Sequence, residues 1–196
     1  AVAAGLSTPN LSMGGEIQAF EEAFRCYTGA RHAIGVNSGT AGLHLCVRAA
    51  GIEEGDWVIT TPFSFVASVN VLLFERAIPI FVDIDPATGN INPELARQAV
   101  NDLSNGGKTA RSWLPRRGVN SRTNGSLKAI LPVDVFGQPA DLEPILEIAA
   151  RFDLKVIEDS CEALGAEYKG RPAGRLGHMG VYAFYPNKQI TTGEGG

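Results

Sequence analysis

The chain has 196 residues, of which 44% are hydrophobic and 19% charged, a composition typical of a globular protein with one substantial core. Its net charge of −4 excludes the strongly basic surface of a general nucleic-acid binder. No apolar run approaches the roughly 20 residues of a membrane span, and residues 1–15 lack the basic start and apolar core of a secretory signal. We therefore expect neither nucleic acid nor a membrane as a partner.

The cysteines and histidines point away from disulfides and metal. Cys26, Cys46 and Cys161 are far apart and odd in number, which predicts reduced thiols that pack inside a cytoplasmic protein. The three histidines show no metal-ligand spacing with cysteines or carboxylates, so no metal site is predicted.

Helical and strand patterns alternate along the chain from residue 15 onward. Such alternation predicts an α/β fold with three layers, in which helices flank a mostly parallel central sheet. Pro132 lies inside one predicted strand and locally favours an edge position, because proline cannot donate to a ladder. In chain order we predict a helix over 16–27, a strand over 32–36, a helix ending at Gly51, a strand over 56–60, a helix over 64–75, a strand over 78–84, a helix capped by Asn92 with Pro93 at its first position, a strand over 129–136, a helix opened by Asp141, and strands over 154–159 and 180–185.

Residues 101–128 interrupt this alternation. They are poor in apolar residues and set six basic residues against Asp102 alone, a net charge of +5. The composition predicts a mobile, solvated insertion loop. An electropositive arm near a phosphorylated substrate is the alternative interpretation.

Candidate ligand-binding residues lie where predicted strands end, which is where ligands gather in parallel sheets. Ser38, Gly39 and Thr40 precede a helix whose backbone N–H groups and dipole can hold a phosphate, although the same turn can be simple capping. Asp159 ends a strand and could equally be a cap. Lys188 follows the last strand by a few residues, at a position where most lysines are only solvated.

Together, these three features match what a protein needs to hold pyridoxal phosphate. The helix terminus takes the phosphate, the acid keeps the pyridine nitrogen protonated, and the lysine forms a Schiff base. Phe63 or Phe65 could cover the ring. The pattern therefore indicates a pyridoxal-phosphate enzyme.

Six longer stretches then make the sequence similar to a known family: NSGTAGLHL, GDWVITTPFSFVASVN, PIFVDIDPATGNI, ILPVDVFGQPADL, VIEDSCEALGAEYKGRPAG and AFYPNKQITTGEGG. In this order they resemble the DegT-type (DegT/StrS group) sugar aminotransferases, pyridoxal-phosphate enzymes of the aspartate-aminotransferase fold. The resemblance covers residues 5–196 except 101–128. It implies that residues 1–196 form an incomplete cofactor-binding large domain without the C-terminal small domain, so that a 1–196 polypeptide would be almost inactive and would self-associate.

The resemblance also implies residue roles. Lys188 would form the Schiff base and shuttle a proton, and Asp159 would pair with the pyridinium nitrogen. Phe65 would stack on the ring, and Glu162 would face the phenolic oxygen of the cofactor. The phosphate would be bound at Ser38, Gly39 and Thr40.

Two positions depart from the family pattern. Many relatives have Gln or His where this chain has Glu162, and a carboxylate so close to another anion is expected to hold or share a proton. A structural carboxylate that points away from the cofactor is the alternative role for Glu162. Many relatives also have a phosphate-binding Ser where this chain has Ala183, so Ala183 is assigned no phosphate contact.

The implied reaction is transfer of an amino group from an amino acid, L-glutamate in our prediction, to the keto group of a nucleotide-linked sugar. The product would serve a surface polysaccharide or a secondary metabolite, and the enzyme would be a homodimer with shared active sites. Relatives that dehydrate the sugar have His in place of the lysine, so Lys188 favours amino transfer. A non-catalytic protein that kept the fold, and another pyridoxal-phosphate reaction of dehydratase or aldolase type, are the alternatives.

Overall fold

A computed structural model describes residues 2–9, 13–115 and 125–196. The chain divides into two compact units, residues 1–36 and residues 37–196. The first unit contains α1 (Val2–Leu6) and α2 (Gly15–Thr28), so the helix predicted over 16–27 is confirmed. The strand predicted over 32–36 is wrong. The described part of this unit contains helices and no strand, so residues 32–36 have no neighbouring strand with which to form a sheet.

The second unit is built on a five-stranded sheet in which every neighbouring pair of strands is parallel. The order across the sheet is β2-β1-β3-β4-β7, and β5 and β6 form a separate antiparallel pair. The predicted α/β architecture with a mostly parallel sheet is therefore confirmed. The strands are β1 (Trp57–Thr60), β2 (Ile78–Phe81), β3 (Leu127–Ile130), β4 (Lys155–Asp159), β5 (Glu167–Tyr168), β6 (Arg171–Pro172) and β7 (Met179–Val181).

Helices cover both faces of this sheet, because successive strand residues point to opposite sides. In β1, Val58 packs into one buried cluster with Leu43 and Val47, whereas its neighbour Ile59 packs into another with Ile145. The predicted three layers are thus present. The helices of this unit are α3 (Gly39–Ala49), α4 (Ala67–Phe74), α5 (Pro93–Asn105), α6 (Gly107–Trp113), α7 (Leu142–Arg151) and the 3-10 turn η1 (Val135–Gly137).

The strand predicted over 129–136 is much shorter than expected. It lies in the middle of the sheet, not at its edge, and ends at Ile130. Beyond it, the carbonyl of Pro132 still accepts the Asp159 N–H at 3.0 Å, so the proline serves as an acceptor where it cannot donate. Phe136 then adopts φ 53°, a left-handed conformation that ends any extended run.

Two other strands also end before their predicted limits. β2 stops at Phe81, although Val82 still donates to the carbonyl of Thr60 at 2.9 Å. β7 stops at Val181, because the Phe184 N–H turns to the carbonyl of Gly195 at 2.9 Å. The apolar run over 180–185 therefore turns toward the C-terminal segment instead of extending the sheet.

The loop predicted over 101–128 is partly wrong. Helix α5 continues to Asn105, and residues 107–113 form α6, where Ala110 is buried. The indole of Trp113 donates to Asp102 at 2.9 Å, so the one acidic residue of the segment ties α6 to α5. Residues 116–124 lie outside the described part of the chain. The role of the basic side chains remains a prediction.

Candidate cofactor site

The predicted site residues meet at the carboxyl edge of the sheet. Asp159 is the last residue of β4, and Glu162 and Lys188 lie in the segments that follow β4 and β7. Helix α3 begins beside them, since a Cβ atom on Gly39 would lie 2.8 Å from the Cys161 sulfur. Because all these strands are parallel, residues far apart in sequence converge at this edge.

The Lys188 amine is held by a carboxylate. Its Nζ lies 3.1 Å from Glu162 Oε1, and the Lys188 side chain is only 15% exposed. The other Glu162 oxygen accepts the Phe136 N–H at 3.0 Å. Glu162 therefore points toward Lys188 and anchors it, and whether its carboxylate faces the cofactor or points away from it stays a prediction.

Asp159 is a buried carboxylate with two protein donors. It is 6% exposed, and its Oδ2 accepts a 2.5 Å hydrogen bond from the Ser68 hydroxyl. Its Oδ1 accepts the Cys161 N–H at 3.3 Å. Each carboxylate oxygen has two lone pairs, so the group keeps capacity to bind a further N–H.

Ser38 caps helix α3 as the sequence suggests. Its Oγ accepts the Ala41 N–H at 3.1 Å, and its carbonyl accepts the Gly42 N–H. The N–H groups of Gly39 and Thr40 have no partner within the helix, as at any helix start, and with the dipole they suit an anion. The capping interpretation describes the observed contacts, and the phosphate role of this turn stays a prediction.

Gly39 has a packing reason that the sequence did not reveal. A Cβ there would lie 2.8 Å from the Cys161 sulfur and 2.9 Å from the Ala183 methyl group. The start of α3 can approach β4 and β7 this closely only without a side chain at 39 and with a small one at 183. The small side chain of Ala183 therefore allows the start of α3 to pack this closely.

Large aromatic side chains lie exposed near this edge. Phe65 is 75% exposed and Phe136 is 82% exposed. Phe136 meets Phe63 edge to face, with ring centroids 5.9 Å apart. Phe65 is thus free to cover a ligand, and its stacking role stays a prediction.

The polar groups packed around Asp159 were not predicted from the sequence. Ser68 and Ser160 are fully buried, and Asp134 is 1% exposed. The Ser160 hydroxyl donates to Asp134 at 2.6 Å. In the sequence each of them is a single polar residue in or just after an apolar helix or strand. A polar residue on the protein surface gives the same pattern, so the sequence does not distinguish the two cases.

Cys161 lies at the centre of the site. Burial raises the pKa of its thiol well above the ordinary range, the negative charge of Asp159 acts in the same direction, and the positive charge of Lys188 opposes it. A thiol held neutral in this way is a packing group rather than a nucleophile. This agrees with the prediction that the cysteines serve packing at this position.

Two further buried acids lie behind the site. Burial is the main reason that the pKa of Glu158 rises to about 7, even though the Gly174 and Gly177 N–H groups donate to its carboxylate. Burial likewise raises the pKa of Asp134 to about 6, and the charge of Asp159 adds to this. The back of the site is therefore sensitive to mildly acidic pH.

Replacement of Asp134 by Asn is expected to flatten the pH dependence of stability. The folded-state pKa of about 6 exceeds the ordinary 3.8, so between these two pH values the folded protein binds more protons than the unfolded protein does. This contribution to stability is present below the unfolded value and is lost as pH rises through about 6. Asparagine can still accept the Ala140 N–H and donate to Ser160, so the variant should gain about 1–3 kcal/mol above that pH.

Urea unfolding of the full-length protein on either side of this window measures the effect. The wild type should lose unfolding free energy between the two pH values, and the Asp134→Asn variant should lose less. A variant that loses as much as the wild type would show that Asp134 is ionised at no cost.

Within the described residues, no group of three or more histidine, cysteine or acidic side chains could hold a metal ion. No helix among them is long and apolar enough to cross a membrane.

Comparison with known proteins agrees with the geometry of the site. Residues 1–196 match the DegT/DnrJ/EryC1/StrS aminotransferase family. The chain belongs to this family. Its resemblance to DegT-type sugar aminotransferases, first inferred from the motifs, is thereby confirmed.

Individual relatives cover nearly the whole chain. GDP-perosamine synthase from Caulobacter vibrioides is 41% identical over 94% of this chain and 44% of its own length. A DegT DnrJ EryC1 StrS aminotransferase from Brucella abortus has a TM-score of 0.87 at 30% identity, over 99% of this chain and 48% of that one. An Escherichia coli GDP-4-keto-6-deoxy-D-mannose-3-dehydratase with bound hydrated PLP has a TM-score of 0.76 at 26% identity, over 94% and 43%.

The chain spans less than half the length of these curated relatives and solved structures. What the whole protein does is therefore a matter for proposal.

Proposed function

We propose that the protein binds pyridoxal phosphate and uses it to transfer an amino group to a nucleotide-linked keto-sugar. The observation that carries the proposal is the convergence of the Lys188 amine, the Asp159 carboxylate and the start of α3 at one edge of the sheet. Family membership supports it, since the family is one of aminotransferases.

The residues present fit the cofactor. The first turn of α3 offers N–H groups for the phosphate, with Ser38, Gly39 and Thr40 at its start. The buried Asp159 retains lone pairs for the pyridine N–H. When bound, pyridoxal phosphate supplies an electron sink that stabilises negative charge on the substrate carbon. Phe65 would cover the ring.

Lys188 would hold the cofactor covalently and would move the proton through its Nζ atom. For that task the amine must be held near the reacting carbon and shielded from bulk water, and this side chain is largely buried. Glu162 orients the amine before the cofactor arrives. Once Lys188 is engaged, we expect Glu162 to face the phenolic oxygen and to hold or share a proton there.

We further propose L-glutamate as the amino donor and a nucleotide-linked keto-sugar as the acceptor. Support for a sugar acceptor comes from relatives named for a GDP-linked amino sugar and for spore coat polysaccharide biosynthesis, whereas the donor is carried by the family resemblance alone. A nucleotide-sugar dehydratase is also among the structural neighbours. The competing reactions are dehydration and aldol cleavage. Lys188 favours amino transfer, because the resemblance places His at this position in the dehydrating enzymes.

We also propose a cytoplasmic homodimer with active sites shared between subunits. The three cysteines are unpaired, which fits a reducing compartment. The exposed rings of Phe65, Phe136 and Tyr185 lie near the site, and a second copy of the chain would cover apolar surface of this kind.

A panel assay tests the proposed function. The full-length protein, loaded with pyridoxal phosphate, is incubated with L-glutamate and a set of GDP-, UDP- and dTDP-linked keto-sugars, and amino-sugar product and 2-oxoglutarate are measured together. We expect both products in equal amounts with at least one sugar. Loss of water from the sugar without 2-oxoglutarate would establish the dehydratase alternative. Absence of cofactor colour would establish the non-catalytic one.

A further inference from the structure

Ser68 is a polar side chain buried completely beside the predicted acid. It lies in the first turn of α4, 91 positions before Asp159, and has no exposed surface. Its Oγ lies 2.5 Å from Asp159 Oδ2 and 2.6 Å from the hydroxyl of Ser64. A buried hydroxyl between a carboxylate and a second hydroxyl is a directed contact, not a chance one.

The direction of these hydrogen bonds follows from proton counting. An ionised carboxylate only accepts, so the single proton of Ser68 goes to Asp159. Ser68 can then only accept from Ser64, which sets a chain of donors from Ser64 through Ser68 to Asp159. Hydrogen bonds to a charged acceptor are about twice as strong as neutral ones.

The same two hydroxyls reach the segment that carries the predicted ring cover. The carbonyl of Phe65 lies 3.1 Å from Ser64 Oγ and 3.3 Å from Ser68 Oγ. On the other side of the carboxylate, the Cys161 N–H holds Oδ1. Both oxygens of Asp159 thus accept a hydrogen bond, Oδ2 from Ser68 and Oδ1 from the Cys161 N–H, whereas the Phe65 carbonyl only adjoins hydroxyls whose protons are already donated.

We propose that Ser68 is a positioning residue that orients Asp159 toward the ring nitrogen of pyridoxal phosphate. The proposal rests on the proposed function. Without Ser68 the carboxylate would keep only its contacts with the N–H and the thiol of Cys161, and Oδ2 would lose the donor that fixes its direction toward the ring. Ser64 supports Ser68 from the partly exposed side of the chain of hydroxyls.

The test compares Ser68→Ala and Ser68→Thr with Thr60→Val in the full-length protein. Thr60 is a matched control, because its hydroxyl is also buried and hydrogen-bonded, but to the carbonyl of Leu131 at 2.8 Å and not to Asp159. Each variant is titrated with pyridoxal phosphate, its bound-cofactor absorption spectrum is followed over pH, and its Tm is measured without cofactor.

Ser68→Ala should bind the cofactor about tenfold more weakly and shift the pH profile of the spectrum, since a hydrogen bond to a charged group is lost. Ser68→Thr keeps the hydroxyl and should restore the profile. Thr60→Val should lower the Tm and leave affinity and spectrum unchanged. The proposal is overturned by a wild-type profile in Ser68→Ala or by an equal shift in Thr60→Val.

Two further outcomes also decide the matter. If Ser68→Ala does not fold, Ser64→Ala leaves Ser68 in place and should shift the spectrum in the same direction by a smaller factor, whereas an unchanged spectrum there overturns the proposal. If the wild type binds no pyridoxal phosphate, the proposed function fails and the role of Ser68 fails with it. If the wild type binds pyridoxal phosphate and Ser68→Ala changes neither affinity nor spectrum, the proposed function stands and only the positioning role of Ser68 is overturned.

Discussion

Replacement of Lys188 by Ala is expected to abolish both covalent retention of pyridoxal phosphate and amino transfer. The Lys188 amine lies beside Glu162 at the carboxyl edge of the sheet, and its positive charge acts on the Cys161 thiol. Alanine removes the amine that would form the imine. Lys188→Arg keeps the positive charge beside Glu162 but cannot form the imine either, so we expect it to be equally inactive.

The measurement is borohydride reduction of the loaded full-length protein, followed by mass spectrometry of its peptides. In the wild type the label should be on Lys188, and in both variants it should be absent. Lys169 is a suitable control, because its side chain is 57% exposed and its amine pairs with Glu143. Lys169→Ala should keep label and turnover, and a label on Lys169 or Lys155 in the wild type would overturn the assignment.

The layered architecture was predictable because it depends on periodicity. Apolar residues recur at fixed spacing in the sequence, along one face of α3, α5 and α7 and at alternating positions of β1 and β4. The ends of strands were not predictable in the same way. Phe184 turns toward Gly195 and Pro132 becomes an acceptor because of partners more than ten residues away, which no local pattern records.

The prediction of a loop over 101–128 was partly wrong for a different reason. Its composition suggested a solvated loop, yet α6 forms there with only Ala110 buried and with Trp113 bonded to Asp102. A short helix of this kind is stabilised by one or two tertiary contacts. A count of charged residues does not detect such contacts.

The meeting of the candidate residues at one edge of the sheet was predictable where cofactor chemistry restricts the residue type, and their roles stay predictions. An acid at a strand end and a lysine after the last strand have few substitutes in cofactor chemistry, so Asp159 and Lys188 could be chosen from their positions. Ser68, Asp134 and Ser160 could not, because a serine or aspartate becomes part of the site only through partners distant in sequence. Folding alone brings Ser68 to Asp159.

Replacement of Asp159 by Asn is the second change expected to have a large effect. The amide can still accept the Cys161 N–H with its oxygen, and its nitrogen can donate to Ser68, whose hydroxyl then reverses. The fold should therefore survive. The charge that pairs with the ring nitrogen is lost, and a hydrogen bond to a charged group is worth about 1.5–3 kcal/mol, so kcat should fall about ten- to a hundredfold.

Single-turnover kinetics with an amino-acid donor, together with the cofactor dissociation constant, test this expectation. Turnover should fall more than affinity, because the charge acts on the electron sink more than on the bound ground state. Glu162→Gln is the companion variant. It keeps one oxygen to accept from Lys188 or Phe136 and changes a carboxylate that is 39% exposed, so its effect should be milder. If Glu162→Gln slows turnover more than Asp159→Asn does, Glu162 is the principal acid of the site, and Asp159 serves mainly to order Ser68 and the start of α4.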